Sequence, residues 1–339
     1  MAEPAKLVSA LSDAVPAIPG LVWAFRLHSD GSAEPLPIDQ RIEFSHDGRL
    51  WLHFNLNDVR AKPWISAASL PPLARELLLS NDTFQQLHVI DGCVYGVFSD
   101  LVRDIDSPTE ETAFLRFVMT EHLLVSGRHQ ALCSADATRR VLEGGYRVDN
   151  VARLLEKIVD EVADTLDRMA DKLGQEIDGI EERILADDVK SDMRGNLGRL
   201  RRTCVRLHRQ LTGLRVLFHR LDQKNTDHLA PSLRIHAARL AQRLDGLDHD
   251  IVELRERSRL LEEELRFKNE EESNRHLHTL SIVTTLLLPP TLITGIFGMN
   301  TKGLPLTDVD EGFLWAAAMM VCSIGLAYLF MRRTGIFKK

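Results

Sequence analysis

The chain has 339 residues, with 42 Lys+Arg against 49 Asp+Glu and a formal net charge of −7. That length exceeds one average domain, and a 44% hydrophobic share excludes wholesale disorder. The acidic balance argues against a general nucleic-acid binder, which carries a basic face, so no nucleic-acid partner is expected.

Four scattered cysteines (Cys93, Cys133, Cys204 and Cys322) form no CxxC pair. A zinc ribbon and a thioredoxin-like motif are both excluded, and the usage fits reduced thiols. Residues 1–20 hold Lys6 as their only basic side chain and are interrupted by Pro4, Pro16 and Pro19, so no secretory signal is expected.

Residues 1–147 read as a cytoplasmic α+β (α/β) domain. Leu21 to Leu27 has the composition of a strand, followed by a turn at Ser29-Asp30-Gly31. Further strands are expected at Leu50 to Leu56, Cys93 to Phe98, Ala113 to Met119 and Leu123 to Val125. Leu70-Pro71-Pro72-Leu73 opens a helix, because proline suits a first turn. His46, His53, His88, His122 and His129 show no metal-ligand spacing and read as ordinary core or surface histidines. No nucleophile–base motif and no phosphate-binding glycine loop occurs, so an enzyme is not expected and no cofactor is implied.

Residues 148–278 read as a stalk of long helices. Leu155, Val162, Leu166, Met169, Leu173, Ile177, Ile180 and Ile184 recur at three- and four-residue steps, which is one amphipathic face. A second helix is expected from about Lys190 to Leu221, basic at Arg199, Arg201, Arg202, Arg206 and Arg209. Those arginines are expected to pair with Glu181, Glu182, Asp187 and Asp188. A third helix, with Pro231 in its first turn, repeats Leu233, Ala237, Leu240, Leu244, Leu247, Ile251, Leu254, Leu261 and Leu265 in a heptad-like step broken by Ser258. Continued to residue 299 it measures about 69 residues, or ~100 Å, too long to be buried within one small domain.

From Thr279 to Met299 no residue is charged, a run of about 21 residues or ~31 Å as a helix. Phe313 to Met331 is a second uncharged run of about 19 residues. Both are long enough to span a bilayer, giving transmembrane segments at 279–300 and 313–331 with an outer loop at 301–312. Arg332, Arg333, Lys338 and Lys339 make residues 332–339 a basic tail, whereas the loop holds Lys302 against Asp308, Asp310 and Glu311. The positive-inside rule then places the tail and the amino terminus in the cytoplasm.

Ser281, Thr284, Leu288, Thr291, Gly295 and Gly298 share one stripe of the first span. Small and hydroxyl residues there serve close helix packing or face hydrated ions, and both readings stand. A water-filled conduit needs several copies, since two spans cannot enclose one. The span ends at Gly298-Met299-Asn300, where its partially negative terminus points outward and Asn300 adds an uncharged carbonyl oxygen for a hydrated divalent cation. Asp308, Asp310 and Glu311 are placed to concentrate cations above it. Leu277, Leu280 and Leu288 can form an apolar constriction, and His276 and His278 at the inner mouth are candidate metal ligands.

With Gly298-Met299-Asn300 ending the first of two carboxy-terminal spans, a long helix feeding that span and a short basic tail, the chain resembles the CorA metal ion transporter family. The resemblance implies a funnel-shaped homopentamer in the bacterial inner membrane, with five first spans lining a pore and the motif glycine and asparagine at Gly298 and Asn300. Magnesium members commonly continue with Met-Pro-Glu-Leu, whereas this chain has Leu304-Pro305-Leu306-Thr307, so Leu306 replaces the glutamate. Together with the strand at Leu50-Trp51-Leu52-His53, Asn57-Asp58, Leu70 to Leu73 and Gly303-Leu304-Pro305, this is similar to the zinc-transporting branch. The implied cargo is Zn2+, with Mg2+, Co2+, Ni2+ and Cd2+ open. The alternatives are a Mg2+/Co2+ channel of the same fold and, in a different class, a membrane-anchored helical scaffold or sensor.

Overall fold

The computed structural model describes residues 18–40, 42, 48–90, 92–104, 107–188, 192–224, 229–299 and 312–333. The chain divides into two compact units, residues 1–262 and 263–339.

The first unit is built on a seven-stranded mixed sheet in the order β2-β1-β3-β7-β6-β5-β4. Its strands are β1 (Leu21–Leu27), β2 (Ala33–Leu36), β3 (Arg49–Asn55), β4 (Gln86–Ile90), β5 (Cys93–Asp104), β6 (Ser107–Met119) and β7 (Leu123–Arg128). All neighbours are antiparallel except β3 and β7, which run parallel from Leu50↔Leu123 to Asn55↔Arg128. Beside the strands lie three short helices, α1 (Ala61–Ala67), α2 (Pro72–Leu79) and α3 (Cys133–Glu143). The two-residue period of a strand sorts β3 by face. Leu50, Leu52 and Phe54 pack with Ile65, Ala74 and Leu78 of α1 and α2, whereas Trp51 and His53 point the other way. Gly96 permits a close strand approach, because a Cβ there would lie 2.4 Å from the Gln86 carbonyl oxygen.

The expected strands are present, and three of them run further than their apolar stretches. β5 continues to Asp104, β6 starts at Ser107, and β7 reaches Arg128. β2, β4, α1 and α3 lie outside the elements read from the sequence. Proline stands at the start of α2, as its chemistry requires.

Three long helices complete the unit: α4 (Val151–Leu185), α5 (Met193–Asp222) and the first part of α6 (Ala237–Phe297). Asn150 caps α4, its side chain accepting a 2.8 Å hydrogen bond from the Arg153 N–H. All eight apolar positions of the α4 face are buried. α6 begins later than its sequence reads: Pro231 lies in a separate 3-10 turn, Pro231–Leu233, and the helix starts at Ala237. Along its first part Leu240, Ala241, Leu244, Leu247 and Ile251 are buried. Ser258, which breaks the heptad, is also buried and donates 3.2 Å to the Leu197 carbonyl of α5. A small hydroxyl at that contact lets the two backbones approach.

Charge sorts these helices as clearly as hydrophobicity does. α6 turns bases toward acidic α4: Arg239 and Arg243 reach Asp160 at 2.9 and 2.8 Å, and Arg257 reaches Asp178 and Glu181 at 2.7 Å. It turns acids toward basic α5: Asp248 takes His208 and Arg215, Asp245 takes His219, and Glu262 takes Arg201. Arg199 pairs with Glu110 and Glu176, and Arg206 with Glu110. Arg199, Arg201 and Arg206 are therefore paired, with Glu110, Glu176 and Glu262. Glu181 is committed to Arg257 instead. The expected partners were chosen for closeness in sequence, whereas the bonds formed span up to 96 residues.

The second unit holds the remainder of α6 and α7 (Gly312–Arg333). Both helices are long and apolar enough to cross a membrane.

Candidate functional site

The uncharged part of α6 is a continuous helix to Phe297, through Pro289 and Pro290. Each proline removes a backbone donor, an interruption that membrane helices tolerate when neighbouring groups satisfy the freed carbonyls. The hydroxyls are not idle in this helix. Thr284 donates to the Leu280 carbonyl at 2.8 Å, Thr285 to Ser281 at 2.8 Å and Thr291 to Leu287 at 2.7 Å. With its proton committed to its own backbone, each hydroxyl presents only lone pairs outward. An oxygen in that state accepts from water or from a donor on another helix.

The helical period places Leu277, Leu280, Ser281, Thr284, Leu288, Thr291 and Gly295 within one face. Gly298 continues that face in the turn after the helix. Its N–H bonds the Thr294 carbonyl at 2.8 Å, and a Cβ at 298 would lie 3.0 Å from the same oxygen. Met299 follows with its N–H on the Ile296 carbonyl at 3.2 Å, its side chain exposed. His276 and His278 are helical and exposed, each about 100° to one side of Leu277, so neither belongs to the stripe. Asn300, Lys302, Leu306, Asp308, Asp310 and Glu311 lie outside the described residues. Cys322 is exposed on α7.

Among the described residues, the histidines of the first unit are not gathered into a centre. His53 is buried on β3 and stacks on Trp23 with ring centroids 4.1 Å apart. Arg128 Nε donates to His53 Nε2 at 3.1 Å, which leaves Nδ1 as the protonated nitrogen, 2.8 Å from Ser126 Oγ. Trp51 Nε1 donates to the same hydroxyl at 2.8 Å. Burial, reinforced by the Arg128 charge, holds this imidazole neutral far below the usual histidine range. His88 stacks on Tyr95, and His129 bonds the Asn57 side chain. His46 lies outside the described residues. Among the described residues, no group of three or more His, Cys, Asp or Glu side chains is arranged to hold a metal ion.

Sequence reasoning missed the commitment of the threonine protons, although threonine at i with a helical carbonyl at i−4 is its signal. It also missed the hydroxyl network around His53, for which pairing of β3 with β7 is required and no local signal exists.

A mixed-sheet unit leading through long helices to two apolar, bilayer-length helices has the build of a membrane-spanning protein. The family profile described as CorA-like Mg2+ transporter protein matches residues 46–333, and the chain belongs to that family. It is a CorA-family divalent-cation transporter. It is 25% identical over 319 residues to the zinc transport protein ZntB of Klebsiella pneumoniae, covering 94% of this chain and 96% of that one. ZntB of Enterobacter sp. is 24% identical over 322 residues, with the same coverage. Among solved structures, the full-length CmaX protein superposes with a TM-score of 0.78 at 22% identity, over 95% of this chain and 99% of that one. The CorA magnesium transporter of Methanocaldococcus jannaschii gives 0.69 at 19% identity, over 93% and 99%.

Proposed function

We propose that the chain forms a homopentamer in the bacterial inner membrane and carries Zn2+ through a pore lined by the stripe of α6. One observation carries this reading: an uncharged, bilayer-length helix with hydroxyl lone pairs along a single face. Such a face suits a cation that keeps its water, because lone pairs accept from coordinated water molecules. Zinc ordinarily takes nitrogen, sulfur or carboxylate ligands, and the stripe offers none. The ion therefore passes hydrated, and five copies of Asn300 receive it at the outer end with Gly298 and Met299. Asp308, Asp310 and Glu311 raise the local cation concentration above that ring. Leu277, Leu280 and Leu288 form the apolar narrowing, and His276 and His278 stand beside the inner mouth. Arg332 and Arg333 at the end of α7 support a cytoplasmic location for both termini.

Similarity to proteins named ZntB across nearly the whole chain supports zinc, as does Leu306 in place of the glutamate of magnesium members. The family's description favours Mg2+ as the second reading. Uptake of Zn2+ and Mg2+ into proteoliposomes, each with and without a pH gradient, separates them, with Asn300→Ala as the blank. Zinc flux without magnesium flux is the expected result. Equal or greater magnesium flux would move the chain to the magnesium reading, and no flux of either would leave the spans as an anchor for a scaffold.

A further inference from the structure

A groove runs between α5 and the sheet edge formed by β4, β5 and β6. It opens as a cavity of about 850 Å3 and continues, past Phe84 and Arg220, into a smaller one of about 270 Å3. The larger volume falls in the range of small-molecule sites, roughly 300–1,000 Å3.

Its walls carry three kinds of chemistry. Gln210 is 4% exposed, yet neither its amide nitrogen nor its amide oxygen has a hydrogen-bond partner, and the buried Ser99 hydroxyl is also unpartnered. An unsatisfied buried donor–acceptor pair is costly, because each group has given up water without gaining a partner. Gln85 does not relieve it. Its side chain lies against bare Gly213, where a Cβ would come within 2.1 Å, and is spent on the Gln210 backbone carbonyl at 3.1 Å and the Ser99 N–H at 3.4 Å. Phe84 is 68% exposed at the junction of the two cavities, a planar apolar surface. Arg220 in the last turn of α5 and Lys224 just beyond its end line the smaller cavity, and among the described residues neither has an ion-pair partner. Among the described residues, the carboxylates lining the groove are Glu110, already bound by Arg199, Arg206 and Thr203, and Glu111 at the far end from Lys224.

We propose that this groove binds a nucleoside polyphosphate. The Gln210 amide is buried as it stands, and turned into the groove it would pair in bidentate fashion with the donor–acceptor edge of a base, as glutamine does with adenine. The base stacks on the aromatic wall, and Arg220 and Lys224 take the phosphates. Ten residues separate Gln210 from Arg220, about 15 Å along a helix, which calls for an extended di- or triphosphate in place of a monophosphate. The site is independent of the transport reading, since it is tested by binding alone.

The test is equilibrium dialysis of labelled ATP against the purified full-length protein in detergent, with EDTA present, and with AMP and inorganic tripolyphosphate as competitors. Saturable binding is expected, with ATP preferred to both competitors. The double variant Arg220→Ala/Lys224→Ala should weaken ATP by about tenfold or more without lowering the melting temperature, because both side chains are exposed. Gln210→Leu should erase the preference for ATP over tripolyphosphate. Absence of saturable binding, equal affinity for tripolyphosphate in the unaltered protein, or full affinity in the double variant would each overturn the proposal.

Discussion

Helix α6 contains the same residue type in two opposite situations. Leu240 and Leu244 are 1% exposed, whereas Leu288 and Leu292 are 60% and 61% exposed. The difference lies in what surrounds them. In the first part, leucines alternate with Arg239, Arg243, Asp245 and Asp248, which bond α4 on one side and α5 on the other. Burial supplies the driving force there, and the charges choose the neighbours. After Thr279 no charge is left to choose with. Contact between membrane helices rests instead on small residues and hydroxyl oxygens.

Two substitutions should separate the two regions most sharply. Asn300→Ala is expected to lower cation flux in proteoliposomes to the level of empty vesicles while leaving the melting temperature unmoved. Retained flux would remove Asn300 from the ion path. Glu156→Ala should do the reverse and cost about 1.5–3 kcal/mol of stability, since its partners are half exposed and regain water. Its buried carboxylate accepts from the His236 N–H at 2.7 Å, His236 Nδ1 at 2.8 Å and Arg153 at 2.8 Å, with Arg239 at 3.4 Å. Burial pushes this carboxyl up, but the hydrogen bonds of His236 and Arg153 outweigh it and hold it below the ordinary range. Its contribution is thus present at neutral pH and is lost on acidification. A thermal melt unchanged in the variant would show that the lattice of charges does not hold the helices together.

The same contrast decides what was legible from the residues alone. Uncharged runs of bilayer length and the heptad of α6 are patterns within one segment, and they predicted their elements closely. Leu254 is the exception in that heptad, half-buried where burial was expected. The Gly298-Met299-Asn300 tripeptide carried the family because of where it stands, after the first of two spans. The partners of Arg199 and Arg206 were not legible, because Glu110 lies on β6 and meets α5 only after the sheet has formed. β2 and β4 escaped for a related reason: Ala33–Leu36 and Gln86–Ile90 are short edge strands without a strong apolar alternation, and pairing with β1 and β5 makes them strands. The stripe of the first span could be drawn from spacing, but the commitment of its threonine protons appears only once the carbonyl positions are known.

A matched pair of leucines sharpens the comparison at smaller scale. Leu244→Ala leaves a cavity in the helical core and should cost about 2–5 kcal/mol. Leu288→Ala should leave the melting of the first unit unchanged and raise flux severalfold by widening the apolar narrowing. If both variants lowered the melt equally, the two halves of α6 would be doing the same work.

The smallest effect is a pH dependence confined to the first unit. Asp100 is fully buried on β5, and its carboxylate accepts from the Leu101 N–H at 2.7 Å, the Ser134 N–H at 2.8 Å and the Ser134 hydroxyl at 2.6 Å. Burial dominates those bonds and pushes this carboxyl up from 3.8 to about 6. The sign is opposite to that of Glu156. Between 3.8 and about 6 the folded state keeps a proton that the unfolded chain has released, so this group's contribution to stability falls as pH rises through that window. At pH 7 the carboxylate is ionised and depends on its donors. Ser134→Ala removes one of them and should cost about 1.5–3 kcal/mol at pH 7, the range for a hydrogen bond to a charged group. At pH 5, with Asp100 largely protonated, the cost should fall to about half. The check is a melting series of both proteins between pH 5 and 7. An equal gap at both ends would mean that Asp100 does not change charge in this range, and that burial is weaker than its donors.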